Sequence, residues 1–165
     1  MADLTLTITE SVTLNGKARG NTITKTISGI NNTIEKLVTC LASTDTTILK
    51  TGPTGAVSDC EVHVDDIRYL RVTNLATDAA HVVNLALNID DTEHASNASS
   101  GQDVCNLRLE AGKSFIMGTT ADSIQVDDDA ATAVDAGASL NDLESIVINE
   151  AAGNAVQVEL FVATV

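Results

Sequence analysis

Over most of this chain apolar and polar residues alternate with a period of two, a spacing that builds half-buried β-strands and does not build helices. Leu4, Leu6, Ile8, Val12 and Leu14 fall on one side of the opening segment, and Thr5, Thr7, Thr9, Ser11 and Thr13 on the other. Asn15-Gly16 then supplies two residues that tolerate positive φ, the chemistry of a tight hairpin turn, before Thr22 to Ile27 resumes the pattern. The same reading places strands near Ile34 to Cys40, Thr46 to Lys50, Glu61 to Val64, Ile67 to Thr73 and His81 to Ile89. It continues with Leu107 to Glu110, Ser114 to Met117, Ser123 to Val126, Leu143 to Asn149 and Val156 to Val162. Leu107 to Glu110 and Ser114 to Met117 flank Ala111-Gly112-Lys113 and read as a short hairpin. Thr33 to Leu41 also fits a short helix, through Ile34, Leu37, Val38 and Leu41. About 8–10 strands separated by turn signals predict one all-β domain over residues 1–165, an antiparallel β-sandwich of jelly-roll type.

The size and composition agree with that expectation. A chain of 165 residues suits a single domain with a sizeable core. A formal charge of −14 would suggest disorder, but 44% hydrophobic residues contradict it. Nine Lys and Arg against 23 Asp and Glu leave no basic patch, which argues against nucleic acid and anionic membrane surfaces as partners. No apolar run approaches the roughly 18 residues of a membrane span. Met1 to Thr5 has neither the basic nor the apolar region of a secretory signal, so synthesis in a cytoplasm is expected. Cys40, Cys60 and Cys105 are odd in number and widely spaced, and are expected to be reduced core residues.

No constellation for catalysis stands out, and no enzyme activity or cofactor is expected. Gly-x-Ser-x-Gly, the phosphate-binding Gly-x-x-x-x-Gly-Lys run and the dinucleotide fingerprint do not occur. His63 lies between Val62 and Val64 and His81 opens a strand, so both read as structural; His94 sits in a polar loop. A cupin-like metal site is the enzyme reading best matched to the architecture. It would draw on Cys60, His63 and the run Asp90-Asp91-Thr92-Glu93-His94, which reads equally well as a solvated loop. The weak calcium candidates are Asp90, Asp91, Glu93, Asp127, Asp128 and Asp129, although the Asp127 run lacks the glycine and spacing that wrap one ion. A glycan-binding module usually stacks sugars on exposed aromatic rings, whereas Tyr69, Phe115 and Phe161 all fall in apolar strand patterns.

Charge is distributed unevenly. Residues 1–50 hold Lys17, Arg19, Lys25, Lys36 and Lys50 against Asp3, Glu10, Glu35 and Asp45, a balance of +1, which leaves −15 on the remainder. In a chain that repels itself elsewhere, this neutral, threonine-rich region is where proteins can meet without juxtaposing like charges. The expected contact residues are Thr5, Thr7, Thr9, Lys17, Arg19, Thr22, Thr24 and Lys25.

Leu4-Thr5-Leu6-Thr7-Ile8-Thr9-Glu10-Ser11-Val12-Thr13-Leu14-Asn15-Gly16, Arg68 to Leu75 and Val83 to Ile89 resemble small virion structural proteins of tailed bacteriophages, marine ones in particular. The resemblance covers about the first 90 residues and rests on packing patterns. It implies a non-enzymatic β-sandwich in the virion, a capsid decoration or cement protein that stabilises the head by binding between capsomers. The implied partners are the major capsid protein or other virion proteins and further copies of the chain, in a homo-oligomer such as a trimer. A tail, neck or fibre component is the alternative; a calcium- or glycan-binding module is a further one.

Overall fold

The computed structural model describes residues 1–52, 61–89, 103–118, 125–126, 141–150 and 153–165. The calcium candidates Asp90, Asp91, Glu93, Asp127, Asp128 and Asp129, together with Cys60 and His94, lie outside the described residues. Within them the chain is β throughout, with one 3-10 turn at Val64–Asp66 and no α-helix. The strands are β1 (Ala2–Thr9), β2 (Val12–Leu14), β3 (Lys17–Arg19), β4 (Thr22–Ile30), β5 (Asn32–Cys40), β6 (Thr46–Gly52) and β7 (Val62–His63). They continue with β8 (Ile67–Asn74), β9 (Val83–Ile89), β10 (Asp103–Leu109), β11 (Ser114–Gly118), β12 (Gln125–Val126), β13 (Asn141–Glu150) and β14 (Val156–Thr164).

Two sheets make the body. The first runs β5-β14-β8-β11 and the second β6-β13-β9-β10, with β7 beside β6 and the short β12 on β13. The eight principal strands therefore interleave so that the chain crosses repeatedly from one sheet to the other, as in two linked Greek keys. This is a jelly-roll sandwich. Every pair among the eight is antiparallel, and β6 with β7 is parallel.

The alternation explains the core. Leu70 and Val72 of β8 and Val158, Leu160 and Val162 of β14 point inward from the first sheet, against Leu85, Leu87, Ile146 and Ile148 from the second. In β6 both Ile48 and Leu49 are buried, which strict alternation forbids; a bulge in the pairing with β13 accommodates the extra inward residue. Lys36, facing inward on edge strand β5, reaches across the open side of the sandwich to Glu61 and the Ile48 carbonyl.

Two local readings resolve here. The stretch that also fits a short helix is strand from Thr33 to Cys40, within β5, which pairs with β14 from Asn32↔Thr164 to Val156↔Cys40. The expected hairpin around Ala111-Gly112-Lys113 is not one: β10 pairs with β9 and β11 with β8, in different sheets. Leu107 and Leu109 thus enter the core from one side and Phe115 and Met117 from the other. Buried Asn74 fixes this crossing. Its backbone exchanges hydrogen bonds with Gly112 and Lys113, and its side-chain amide donates to the His81 and Leu109 carbonyls at 3.0 and 3.1 Å.

Candidate functional site: the N-terminal hairpin arm

β1 to β4 belong to neither body sheet. They form one long two-stranded arm whose register runs unshifted from Leu4↔Ile27 through Ile8↔Ile23 and Val12↔Arg19 to Leu14↔Lys17. Glu10 N donates to Asn21 O at 2.8 Å across the gap between the two halves. The tip is the two-residue turn expected from Asn15-Gly16, with φ of 53° and 74°, matching the twist of the strands it joins. Gly20 has φ of 135°, and a Cβ there would collide with the Glu10 carbonyl, so only glycine lets the strands approach at this bend.

This register sorts the predicted contact residues onto two faces. Thr5, Thr7 and Thr9 stand opposite Thr26, Thr24 and Thr22 and form a threonine ladder, with hydroxyl contacts of 3.5 Å for Thr7–Thr24 and 3.4 Å for Thr22–Thr9. Lys25, opposite Leu6, lies on the other face, as do Lys17 opposite Leu14 and Arg19 opposite Val12. The structure therefore brings Thr5, Thr7, Thr9, Thr22 and Thr24 together, and places Lys17, Arg19 and Lys25 on the opposite, apolar side.

That apolar side changes environment along its length. At the root Leu4, Leu6, Ile27 and Ile30 pack on Tyr69, Phe161 and Ala163, on the outer surface of the first sheet. The two rings meet edge to face with centroids 5.9 Å apart. Beyond the root the body ends and the arm continues: Ile8 is 43% exposed, Val12 and Leu14 55%, and Ile23 54%. These four were expected to be covered. Alternation marks a face as apolar but carries no information about whether anything lies over it. From Ile8 to Leu14 the bare stretch spans about 20 Å at roughly 3.3 Å per residue.

Among the described residues no group of three or more His, Cys, Asp and Glu is placed to hold a metal ion. His81 sits in the turn before β9, its backbone N–H bonded to Asp78 O at 3.0 Å. Tyr69 is buried in the small cluster under the arm and Phe161 packs half-buried against it, while Phe115 packs half-buried on the main core. On the outer face of the second sheet a shallow groove of about 490 Å³ is lined by Asn84, Asn88, Asn106, Asn149 and Asp45 among others. Two of its amides are already engaged, Asn88 with Ser145 and Asn149 with Asp45.

Cys40 is buried and Cys105 half-buried, both as free thiols. Burial pushes the Cys40 thiol above its ordinary 9.0, outweighing the opposing hydrogen bond with the Glu150 backbone. The folded chain thus keeps a proton that the unfolded chain loses near 9.0, so this contribution to stability is complete below that pH and declines as pH rises through the higher native value. Denaturant unfolding measured at rising pH should show the decline, and Cys40→Ala should flatten it. Peptide mapping after brief alkylation near neutral pH should find Cys105 modified well before Cys40.

No family model, no curated protein and no solved structure matches the chain.

Proposed function

We propose that the chain is a non-catalytic structural protein of a bacteriophage virion, a decoration protein that stabilises the head by binding between capsomers. The observation that carries this reading is the arm: a two-stranded ribbon is marginal alone in water, and one with bare apolar side chains is an element built to be covered. The jelly-roll body is compatible with it, since that architecture serves capsid proteins as well as lectins and cupins, which makes this support an analogy at the level of fold. The threonine ladder formed by Thr5, Thr7, Thr9, Thr22 and Thr24 is the surface offered to the major capsid protein. It is exposed, regular and uncharged, so it meets another protein without like-charge repulsion. A protein that binds the assembled shell better than free subunits stabilises the shell by mass action, and needs no cofactor to do so.

Electron microscopy and peptide mass spectrometry of intact virions test this. Density for the sandwich on the head, lost with Thr7→Asp/Thr24→Asp, is the expected result; a virion without the chain overturns it. Density on the tail, neck or fibres would select the tail alternative. The amide-lined groove favours a second reading, glycan binding, which a glycan array would reveal as binding lost in Asn84→Ala/Asn106→Ala.

A further inference from the structure

We infer that the apolar, cationic face of the arm tip seats on a second copy of this chain, across the outer surface of that copy's first sheet around Leu37. The inference deepens the virion reading, with which it shares the premise that the arm is an interaction element. The threonine face meets the shell and the opposite face meets a sister subunit.

Three observations converge on this partner. The first is continuity. The face that buries Leu4 and Leu6 against the outer surface of the first sheet continues without a register shift into Ile8, Val12 and Leu14, which have no such surface beneath them. The chemistry suited to this face is already realised once per molecule, at the arm's own root.

The second is charge. Lys17, Arg19 and Lys25 stand exposed among those apolar residues, and no ion pair holds them among the described residues. Residues 31–165 carry six Lys and Arg against 21 Asp and Glu, a balance of −15. A net charge of this size makes copies of the body repel one another, and a cationic arm interposed between two of them relieves that repulsion.

The third is a matching seat. On the outer surface of the first sheet, beyond the part the root covers, Leu37 of edge strand β5 is 61% exposed, the highest value for any large apolar side chain past residue 1 among the described residues. Its neighbours on that surface are Glu35, two residues along the strand, and Glu159, directly opposite on β14 and paired at 2.7 Å with Arg71, so that Glu35 supplies the uncompensated negative charge. An apolar point beside the carboxylate of Glu35 is the complement of Val12, Leu14 and Ile23 flanked by Lys17, Arg19 and Lys25.

Sedimentation velocity of the full chain, followed across concentration and salt, reads the association directly. The expected result is an oligomer at micromolar concentration that weakens as salt rises. Val12→Ser/Leu14→Ser/Ile23→Ser should raise the dissociation constant about a hundredfold or more. Lys17→Glu/Arg19→Glu should raise it about tenfold and remove most of the salt dependence. Leu37→Glu on the seat should also dissociate the oligomer. All these side chains are exposed, so melting temperatures that match when measured well below the dissociation constant, where every protein is a monomer, separate lost association from lost folding. A monomer at roughly 100 µM, or an oligomer that the arm or seat variants leave intact, overturns the inference. A monomeric chain found on virions would leave the decoration reading standing and refute the self-contact. An arm-dependent oligomer missing from virions would do the reverse.

Discussion

Leu160→Ala should lower the free energy of unfolding by about 3 kcal/mol, within the roughly 2–5 kcal/mol found for large-to-small changes at fully buried sites. Leu160 is fully buried on β14, the strand held between β5 and β8 in the middle of the first sheet. Its backbone neighbours are pinned on both sides by ladder pairing, at Lys36 and Val72, so the site has little freedom to collapse around the lost atoms. For a domain of this size the change corresponds to a fall in melting temperature of about 10 °C. Leu160→Met keeps the volume and should cost less than about 1.5 kcal/mol. Denaturant titration of the three proteins checks both values, and a loss below about 1 kcal/mol in the alanine variant would show that the sheets can close over the cavity.

Glu150→Ala should cost about 2–3 kcal/mol, although Glu150 is a charged residue and sits at a strand end. Its side chain is fully buried. Oε2 accepts the backbone N–H groups of Gly153 and Asn154 at 2.9 and 3.0 Å, which closes the connection between β13 and β14. Its own carbonyl accepts Ser43 N at 2.9 Å, beside a parallel bridge to Ala42. Alanine removes the acceptor for two amides and leaves a void. Glu150→Gln keeps a carbonyl oxygen in place and should retain more than half of the lost stability. Equal destabilisation by the two variants would mean that the charge, and not the acceptor, is what the turn requires.

How much of this was legible in the residues differs from element to element. The arm's turn was readable in full, because Asn15-Gly16 acts through the φ preferences of two adjacent residues. Which residues share its faces was readable within each strand, where alternation already sets Lys25 apart from Thr22 and Thr24, but not between strands: that Lys17 and Arg19 stand beside Leu14 and Val12 and away from the threonines is decided by register. Asn74 and Glu150 carried no signal, since an Asn or Glu at a strand end is ordinarily a solvated residue. Their partners at His81, Leu109, Gly153, Asn154 and Ser43 are fixed only once several strand ends are brought together.

The sequence by itself determined that this chain is all-β, where most strands lie, and that it opens with a tight hairpin. Those properties follow from side chains alternating every two residues and from turn chemistry, both local. Only the tertiary structure decided that β10 and β11 part into different sheets, that β5 and β14 from opposite halves of the chain pair side by side, and that the arm outruns the body that covers its root. The physical reason is the same in each case. An alternating pattern says which side of a strand avoids water, while what comes to lie over that side is settled by contacts among residues far apart in the chain.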